Sequence, residues 1–428
     1  MRKDDIMSIL NEWNFWSKSI DIGTRRDAYL DRIIALEKTE QVIAITGARR
    51  SGKSTILLQY AKSLMDKGVG SENILYVNLE EPRFFSSLSL EFLQEIYEAY
   101  KEYMEPEGMP YVMLDEVQNV PGWERFARAL HEKKEAHVMV SGSASKLLSR
   151  EVGTVLTGRS VNLTIYPLGF DEFLRFRGVI IKSRMDVIRE KARIRKNLSE
   201  FIENGGFPLA VLKEGKREIL RAYFEDIISR DVVARFNVTK TDKLKAIANH
   251  YLTNVSSPVT FNSIKKFLGI PLDTVERFSY FLEYSQLLFF VKKFSHSLKE
   301  QEVNPRKVYC IDTGLRNAVC FRTSEDTGKL YENAVFLKLL KGNYEMYYWK
   351  GKKECDFVVK DGAELKAIQV CYDVEKARER EVDGLMDAMN GLDLFEGLVV
   401  TGEYEGEERI DGRTVRFVPL WRFLLDYK

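Results

Sequence analysis

The sequence has few of the residues and runs that mark secreted, metal-binding or membrane-spanning proteins. Its four cysteines, at positions 310, 320, 355 and 371, and its four scattered histidines lack the spacing of a metal site or of a C-x-x-C redox motif. No apolar run approaches the roughly 18 residues that a membrane helix needs, and the N-terminus has no signal-peptide apolar core. These absences argue against a disulfide framework, a zinc module and membrane insertion. They predict reduced thiols and a cytoplasmic location.

The sequence also lacks an excess of either charge. Lys and Arg together number 65 against 64 for Asp and Glu, which leaves a net charge of +1. Because a strongly basic chain would indicate a nucleic-acid partner, any contact with DNA must here come from a local patch. At 428 residues the chain is long enough for about three domains.

A phosphate-binding loop is the most informative motif that the chain contains. The apolar run 41–45 predicts a buried strand, and the residues after it fit the pattern G-x-x-x-x-G-K-[ST]. Its glycines let backbone N–H groups approach phosphate oxygens, and the start of the following helix adds partial positive charge. Lys53 is predicted to reach the β- and γ-phosphates as a catalytic residue, and the Ser54 hydroxyl to ligate Mg²⁺. The predicted nucleotide-binding residues are Gly47, Ala48, Arg49, Arg50, Ser51, Gly52, Lys53, Ser54 and Thr55.

Two adjacent acids at the end of a second strand supply the other half of an ATPase site. A strand at 109–114 delivers Asp115 and Glu116 to the edge of a parallel sheet at which ligands bind. Asp115 is predicted to hold Mg²⁺ through water, and Glu116 to orient and polarise the attacking water. A further strand at 73–79 lies between the two motifs, which resembles the ATPases that have an additional catalytic glutamate.

Two more residues are candidates for the catalytic step. A strand at 136–143 ends in small polar residues, and Ser143 could sense the γ-phosphate or cap the helix that follows. A strand at 160–166 is preceded by Arg159, which either acts on the nucleotide of a neighbouring subunit or is an ordinary surface residue. The first alternative for Arg159 predicts a homo-oligomer that forms at least transiently.

Motifs along the chain together resemble a known family. The motifs are Asn11-Glu-Trp-Asn-Phe-Trp16, Gly47 to Thr55, Leu114-Asp-Glu-Val-Gln118, Ser141-Gly-Ser-Ala-Ser145, Gly158-Arg159, Tyr166-Pro-Leu-Gly-Phe-Asp-Glu-Phe173, Gly205-Gly-Phe-Pro208 and Ile368-Gln-Val-Cys-Tyr-Asp373. They are similar to archaeal AAA-type (P-loop) ATPases that carry a C-terminal winged helix and a degenerate restriction-nuclease-like domain of unknown function. The resemblance covers essentially the whole chain and implies a DNA-associated or signalling ATPase with an undefined macromolecular substrate.

The predicted fold is α/β, with a P-loop AAA-type parallel sheet at its core. The resemblance implies that Arg25, Arg26 or Tyr29 contacts adenine, although packing against the sheet is an alternative role for the aromatic residues of this region. Periodicity after the core predicts a helical region. The resemblance implies that this region is the lid that closes over nucleotide. The predicted domains are an N-terminal approach segment at 1–40, the ATPase core at 41–170, the helical lid at 171–240, a winged helix at 241–300 and a nuclease-like α/β domain at 325–428.

The proposed winged helix leaves two kinds of partner open. Its helices are predicted at 242–252, 261–268 and 273–284, and a strand or wing at 286–294. A helix-turn-helix can place its second helix in the major groove of DNA, but that helix carries three acids and one arginine. Lysines at 265, 266, 292 and 293 could contact phosphate groups instead. Winged helices also dock proteins, so both DNA and a protein remain candidates.

The last hundred residues resemble a restriction-type nuclease without its full set of catalytic residues. Such nucleases gather one metal with an acid on a helix, an aspartate on a strand and an E-x-K on the next strand. Glu332 and Asp356 match the first two, but the E-x-K position is Gln369-Val-Cys371. Without a second strand carboxylate and a lysine, neither metal charge nor activated water is supplied. Nuclease activity is therefore expected to be absent.

A second match to E-x-K, Glu364-Leu-Lys366, is excluded by the predicted pairing of the strands. A two-residue turn at Asp361-Gly362 predicts that Asp356 faces Ala367. Because side chains alternate along a strand, Asp356 then shares a sheet face with Gln369 and Cys371, whereas Glu364 and Lys366 point to the other face.

The sequence leads to two functional interpretations. In the first, an AAA-type ATPase hydrolyses ATP with Mg²⁺ and moves its C-terminal domains while bound to DNA, to a protein or to further copies of itself. The alternative is a slow-turnover, STAND-like ATP switch that recruits a protein partner and has no DNA motor activity. Stimulation of turnover by DNA would separate the two.

Overall fold

The computed structural model of the chain describes residues 1–142, 156, 158–321 and 326–427. The chain divides into two compact units, Met1–Ile165 and Tyr166–Lys428. Within the described ranges, no helix is both long and apolar enough to cross a membrane. The four cysteines are buried free thiols.

The first unit is built on a five-stranded parallel sheet. Its strands are β1 (Val42–Gly47), β2 (Ile74–Asn78), β3 (Tyr111–Asp115), β4 (His137–Ser141) and β5 (Ser160–Ile165). They lie in the order β2-β3-β4-β1-β5. All six residues of β1 are buried, as expected for a parallel strand covered on both faces. Since β4 separates β1 from β3, the strand that precedes the glycine loop and the strand that ends at the acids are not neighbours.

Helices cover both faces of this sheet. They are α1 (Lys3–Trp13), α2 (Asp27–Glu37), α3 (Lys53–Asp66), α4 (Leu90–Met104) and α5 (Trp123–Glu132). Alternation along β1 divides the core, because Val42 and Ala44 pack with α1, α4 and α5, whereas Ile43 and Ile45 pack with α2 and α3.

The motif Asn11-Glu-Trp-Asn-Phe-Trp16 covers the edge strand β2. The Asn14 side chain accepts a hydrogen bond from the backbone N of Tyr76 at 2.7 Å and donates to its carbonyl at 2.8 Å. The indole of Trp16 donates to the carbonyl of Ile74 at 3.0 Å. Unpaired backbone groups at a sheet edge invite pairing with other chains, and these side chains satisfy them. The same contacts fix the position of Tyr76.

The second unit begins with a helical region. Its elements are α6 (Phe170–Phe176), α7 (Arg184–Arg189), α8 (Lys191–Asn204), α9 (Pro208–Leu212), α10 (Lys216–Asp226), a π-helix (Ile227–Val233) and α11 (Ala234–Phe236). The Gly205-Gly-Phe-Pro208 motif separates α8 from α9. Gly206 N donates to Asp312 Oδ2 at 2.6 Å, and a Cβ on Gly205 would lie 2.0 Å from Asp312 Oδ1. Close packing against the buried Asp312 carboxylate therefore requires glycine at position 205, and a Cβ on Gly206 would lie 2.4 Å from the carbonyl oxygen of Leu168.

A nine-stranded sheet organises the rest of the second unit. Its strands are β6 (Ser257–Val259), β7 (Leu288–Lys293), β8 (Arg306–Cys310), β9 (Glu345–Lys350), β10 (Glu354–Asp361), β11 (Glu364–Cys371), β12 (Glu396–Thr401), β13 (Gly406–Ile410) and β14 (Arg413–Pro419). The order is β13-β14-β12-β11-β10-β9-β7-β8-β6. Because β7 pairs with β8 and with β9, the segments 241–300 and 325–428 share one sheet. β8 comes from residues that the sequence left unassigned.

Helices flank this sheet. They are α12 (Thr241–Thr253), α13 (Phe261–Leu268), α14 (Leu272–Tyr284), α15 (Leu298–Val303), α16 (Thr313–Val319), α17 (Asp326–Lys341), α18 (Val374–Gly391) and α19 (Leu420–Asp426). One core joins α17 and α19 to Phe357 and Ile368, and another joins α18 to Ala367 and Cys371. The segment 325–428 thus has helices on both faces of its strands.

The turn between β10 and β11 differs from the predicted one. Asp361 pairs with Glu364, so the turn is Gly362-Ala363, and the predicted turn Asp361-Gly362 is wrong. Gly362 has a φ of +62°. A two-residue hairpin that needs positive φ at its first central position selects glycine there, which explains the shift.

The corrected pairing keeps every side chain on its predicted face. Val358, not Asp356, faces Ala367, so the strands have moved by two residues relative to the prediction. A shift of two preserves the alternation of faces. Asp356 accordingly lies beside Gln369, and its backbone N donates to Gln369 Oε1 at 3.0 Å.

Candidate functional site

The loop between β1 and α3 has a backbone that only glycine fits at two positions. Gly47 ends β1 with a φ of +147°, and a Cβ there would lie 2.2 Å from the carbonyl oxygen of Ile165. Gly52 precedes α3 with a φ of +102°. The intervening residues turn the chain back so that the first turn of α3 faces the loop. Backbone N–H groups at a helix start have no partner within the helix and are available to an anion.

Polar groups inside the loop match a phosphate ligand. Lys53 is 5% exposed, and its Nζ lies 3.3 Å from the carbonyl oxygens of both Gly47 and Ala48. The hydroxyl of Ser51 is buried and has no hydrogen-bond partner among the described residues. A buried ammonium held by neutral acceptors and a buried hydroxyl without a partner fit a site built for an anion.

Asp115 is held in place by hydroxyl groups. Its Oδ2 accepts from the Tyr76 hydroxyl at 2.7 Å, and its Oδ1 accepts from the Ser141 hydroxyl. The Ser54 hydroxyl is a third hydroxyl group near this carboxylate. Burial is the main cause that raises the pKa of Asp115, and the nearby charge of Glu116 is the second. Carboxylate and hydroxyl oxygens are ligands that Mg²⁺ accepts, so Asp115 and Ser54 fit this ion.

Glu116 lies between the loop and a glutamine. It has a left-handed backbone with a φ of +57°, and its N–H donates to the Ser141 hydroxyl at 3.2 Å. Its Oε1 is 3.9 Å from Lys53 Nζ, and its Oε2 accepts from the side-chain amide of Gln118. The other end of that amide, Gln118 Oε1, is buried without a partner in the described part of the chain. The turn therefore places the carboxylate beside the ammonium of Lys53.

Arg26 supports the loop through a hydrogen bond to its backbone. Its Nη1 donates to the carbonyl of Ser51 at 2.9 Å, and its guanidinium stacks 4.5 Å from the centroid of the Tyr29 ring. Gln59 on α3 accepts from Arg26 N at 3.1 Å and donates to the carbonyl of Thr24 at 2.9 Å. Arg26 is only 3% exposed. These contacts give Arg26 a role in bracing the loop. Contact of Arg25, Arg26 or Tyr29 with adenine stays a prediction.

Arg159 lies far from the loop of its own chain. Val42 pairs with Ser160 and Gly47 with Ile165, so Arg159 is at the opposite end of β1 and β5 from the loop, about 17–20 Å away. Its Nε is 2.9 Å from Glu132 on α5. These positions leave only the trans alternative for a catalytic role. Ser143, the other catalytic candidate, lies outside the described residues.

Four residues of the site have roles that were not predicted from the sequence. Asn14 and Tyr76 act across 62 and 39 residues of chain, and neither belongs to a motif with a known spacing to Asp115. Ser141 has a signal in the sequence, because β4 is expected beside Asp115 and Ser141 is a polar residue near its end. Gln118 lies two residues after Glu116, within the same motif.

Comparison with known proteins gives three family matches. A AAA domain matches residues 39–174, a domain of unknown function (DUF8612) matches 195–326 and another (DUF4143) matches 327–423. The loop 47–55, the acid pair and Arg159 all fall within the first match.

Two full-length relatives decide the family. An uncharacterized protein of Haemophilus influenzae is 31% identical over 405 residues, which cover 92% of this chain and 98% of the relative. An uncharacterized protein of Methanocaldococcus jannaschii is 31% identical over 407 residues, covering 90% of this chain and 89% of the relative. The chain belongs to their family. As a member it carries an AAA-type ATPase domain, and because one relative is bacterial, the expected restriction to archaea is corrected.

Solved structures give weaker likenesses. The Walker-type ATPase PABY2304 of Pyrococcus abyssi is 13% identical with a TM-score of 0.39, covering 70% of this chain and 99% of that one. Caenorhabditis elegans PCH-2 is 16% identical with a TM-score of 0.27, covering 66% and 67%. These TM-scores are too low to establish a shared overall fold.

Proposed function

We propose that this AAA protein hydrolyses ATP with Mg²⁺ and uses the cycle to rearrange its C-terminal unit on DNA. The observation that carries the proposal is the convergence of four groups at one edge of the sheet. Lys53 and Ser54 begin α3, the Ser54 hydroxyl lies near Asp115, and Glu116 lies 3.9 Å from Lys53. An ammonium, a metal-ligand pair and a carboxylate base are the groups that phosphoryl transfer to water requires.

Each group has a distinct task in this proposal. Lys53 leaves the carbonyls of the loop and binds the β- and γ-phosphates, because charge-assisted bonds are stronger than bonds to neutral acceptors. Asp115 and Ser54 hold Mg²⁺, which when bound neutralises charge on the phosphate oxygens. Glu116 accepts a hydrogen bond from the attacking water and polarises it. Gln118 donates to Glu116 and so keeps that carboxylate from turning away.

The DNA part of the proposal is supported by the element order after residue 240. Helix α12, strand β6, helices α13 and α14 and strand β7 follow one another as in a winged helix. The short helix α15 comes before β8, which pairs antiparallel with both β6 and β7. Lys265 and Lys266 on α13 are exposed. Exposed lysines beside a helix-turn-helix favour contact with the phosphate backbone.

The surface of α14 favours the alternative of a slow ATP switch that recruits a protein. This helix, the second of the helix-turn-helix, exposes Asp273 and Glu276 against the single Arg277. Tyr280 on the same helix is 56% exposed, and Phe267 on the preceding helix α13 is 73% exposed. Acids repel DNA, whereas exposed aromatic residues are enriched at protein interfaces.

Turnover measured with and without DNA separates these functions. On the leading proposal, duplex DNA should raise steady-state ATP hydrolysis of the full chain several-fold. The stimulation should fall with salt, since phosphate contacts release counterions. Slow turnover that is indifferent to DNA at low salt would contradict DNA association and favour the switch.

Arg159 should act on the nucleotide of a neighbouring copy. Mixing Arg159→Ala chains with Lys53→Ala chains should restore part of the ATPase activity that each lacks alone, because a mixed interface joins an intact loop to an intact arginine. The measurement is ATP hydrolysis of each variant and of their equimolar mixture.

Arg128→Ala provides the matched control for this experiment. Arg128 and Arg159 bind the same carboxylate, Glu132, each at 2.9 Å. Loss of the surface ion pair alone would therefore affect both variants equally, and Arg128→Ala should retain activity. A fully active protein that remains strictly monomeric would refute the trans role.

A further inference from the structure

A buried lysine lies at the centre of the nuclease-like acids. Lys307 is on β8, and its side chain is 2% exposed. Its Nζ lies 2.7 Å from Asp356 Oδ1, 3.1 Å from Glu332 Oε1 and 3.1 Å from Glu354 Oε1. An ammonium has three N–H donors, so each can be directed to a different carboxylate.

The surrounding groups hold these carboxylates around the lysine. The Tyr309 hydroxyl donates to Glu332 Oε1 at 2.6 Å, and the backbone N of Val370 donates to Asp356 Oδ2 at 2.9 Å. Glu354 receives a second cation from Lys350 at 3.1 Å. Burial alone would lower the pKa of Lys307, but attraction by Asp356 and Glu332 outweighs it, so the pKa is raised and the lysine stays charged.

The position of Lys307 is the one that a metal would take. In a restriction-type arrangement the helix acid and the strand aspartate both ligate the metal, and Glu332 and Asp356 both point at Lys307 Nζ. A divalent ion would need their oxygens at about 2.0–2.6 Å, which leaves no room for an ammonium between them. Within the described residues, no group of three or more His, Cys, Asp or Glu side chains is arranged to hold a metal.

The residues that would complete a nuclease site have other contacts. The amide of Gln369 donates to Glu381 on α18. Burial raises the pKa of Cys371 to about 11, and its side chain packs in the core formed by α18, so it carries no charge that could replace a catalytic lysine. The metal that the nuclease resemblance implies therefore does not fit these residues.

We propose that Lys307 is a built-in cation that takes the place of the metal and makes the nuclease-like domain metal-independent. The inference rests on the nuclease resemblance and not on the ATPase. Lys307 belongs to the segment that matches DUF8612, whereas Glu332, Glu354 and Asp356 belong to the segment that matches DUF4143. The ammonium thus also joins the strand that follows the helix-turn-helix to the C-terminal domain.

The first test uses the unaltered full chain without nucleotide. Mn²⁺ binding is measured by electron paramagnetic resonance at about 0.1 mM free Mn²⁺. The unaltered chain and Asp356→Asn should bind the same amount of Mn²⁺, because Asp356 is not expected to ligate a metal. Supercoiled plasmid should remain uncut with Mg²⁺ or Mn²⁺. Stoichiometric Mn²⁺ binding or plasmid nicking that disappears in Asp356→Asn would overturn the proposal, whatever the fate of the lysine variants.

The second test removes the cation. Lys307→Met keeps the length of the side chain and leaves the carboxylates without their partner, so in EDTA the Tm should fall by at least about 6 °C. Mn²⁺ should now bind at about one ion per chain and restore much of the lost Tm. Lys350→Met is the matched control, because this half-exposed lysine binds only Glu354 and its loss should create no Mn²⁺ site.

Two outcomes of this second test count against the proposal. One is a folded Lys307→Met chain that gains no Mn²⁺ binding. The other is a Lys350→Met chain that gains as much Mn²⁺ binding as Lys307→Met. If Lys307→Met does not fold, Lys307→Met combined with Glu332→Gln lowers the buried negative charge, and Mn²⁺ should still stabilise it through Glu354 and Asp356. ATP hydrolysis in the same preparations reports on the separate ATPase proposal, so failure of either is distinguishable.

Discussion

Replacing Lys53 with alanine should weaken ATP binding at least ~100-fold and leave the fold intact. Lys53 Nζ is bound to two backbone carbonyls, and these neutral acceptors cannot compete with phosphate oxygens once nucleotide is present. Alanine keeps the helix start but removes the only ammonium that the loop itself supplies. The measurement is calorimetric titration of the nucleotide-free protein with ATP and Mg²⁺.

Lys62→Ala is the control for this loss. Lys62 lies on the same helix, is 43% exposed and pairs with Asp66 at 3.1 Å, away from the loop. It tests whether removal of a lysine from α3 is harmful in itself, and binding should be unchanged. Unchanged ATP affinity in Lys53→Ala would mean that nucleotide binds somewhere other than this loop.

The ATPase core was predictable because each of its parts has a local signature. β1 and β3 are apolar runs, the loop has fixed glycine positions, and Asp115 follows its strand directly. Parallel strands that end at one edge then bring the pieces together without further information. The structure adds the order of the strands and places Ser141 on Asp115.

The contacts that support the site were not predictable, because they have no local signature in the sequence. Asn14 fixes Tyr76, and Tyr76 holds Asp115, but each contact joins residues that are far apart in the chain and have no characteristic spacing. The contacts of Lys307 were even harder to predict. Its partners Glu332 and Asp356 lie 25 and 49 residues away, and its strand lies in the unassigned segment 301–324. A lone lysine in a short apolar strand looks like an exposed edge residue until the sheet is known.

Glu116→Gln should bind ATP at least as tightly as the unaltered chain and hydrolyse it at least ~100-fold more slowly. The amide has the size of the carboxylate but cannot polarise water as an anion does. Loss of a negative charge 3.9 Å from Lys53 also frees that ammonium for phosphate, so affinity should not fall. The effect on turnover and the absence of an effect on binding distinguish a catalytic base from a structural residue.

Single-turnover hydrolysis with enzyme in excess is the decisive measurement, because it separates the chemical step from product release. Glu95→Gln makes the same change at an exposed position of α4 and should leave the rate unchanged. If Glu116→Gln hydrolysed ATP normally, the carboxylate beside Lys53 would not be the base. The left-handed turn at Glu116 would then serve only to end β3, and Asp115 would remain as the sole acid at the site. Because the hydroxyl groups of Tyr76 and Ser141 already donate to Asp115, water activation would have to come from a residue outside this edge of the sheet.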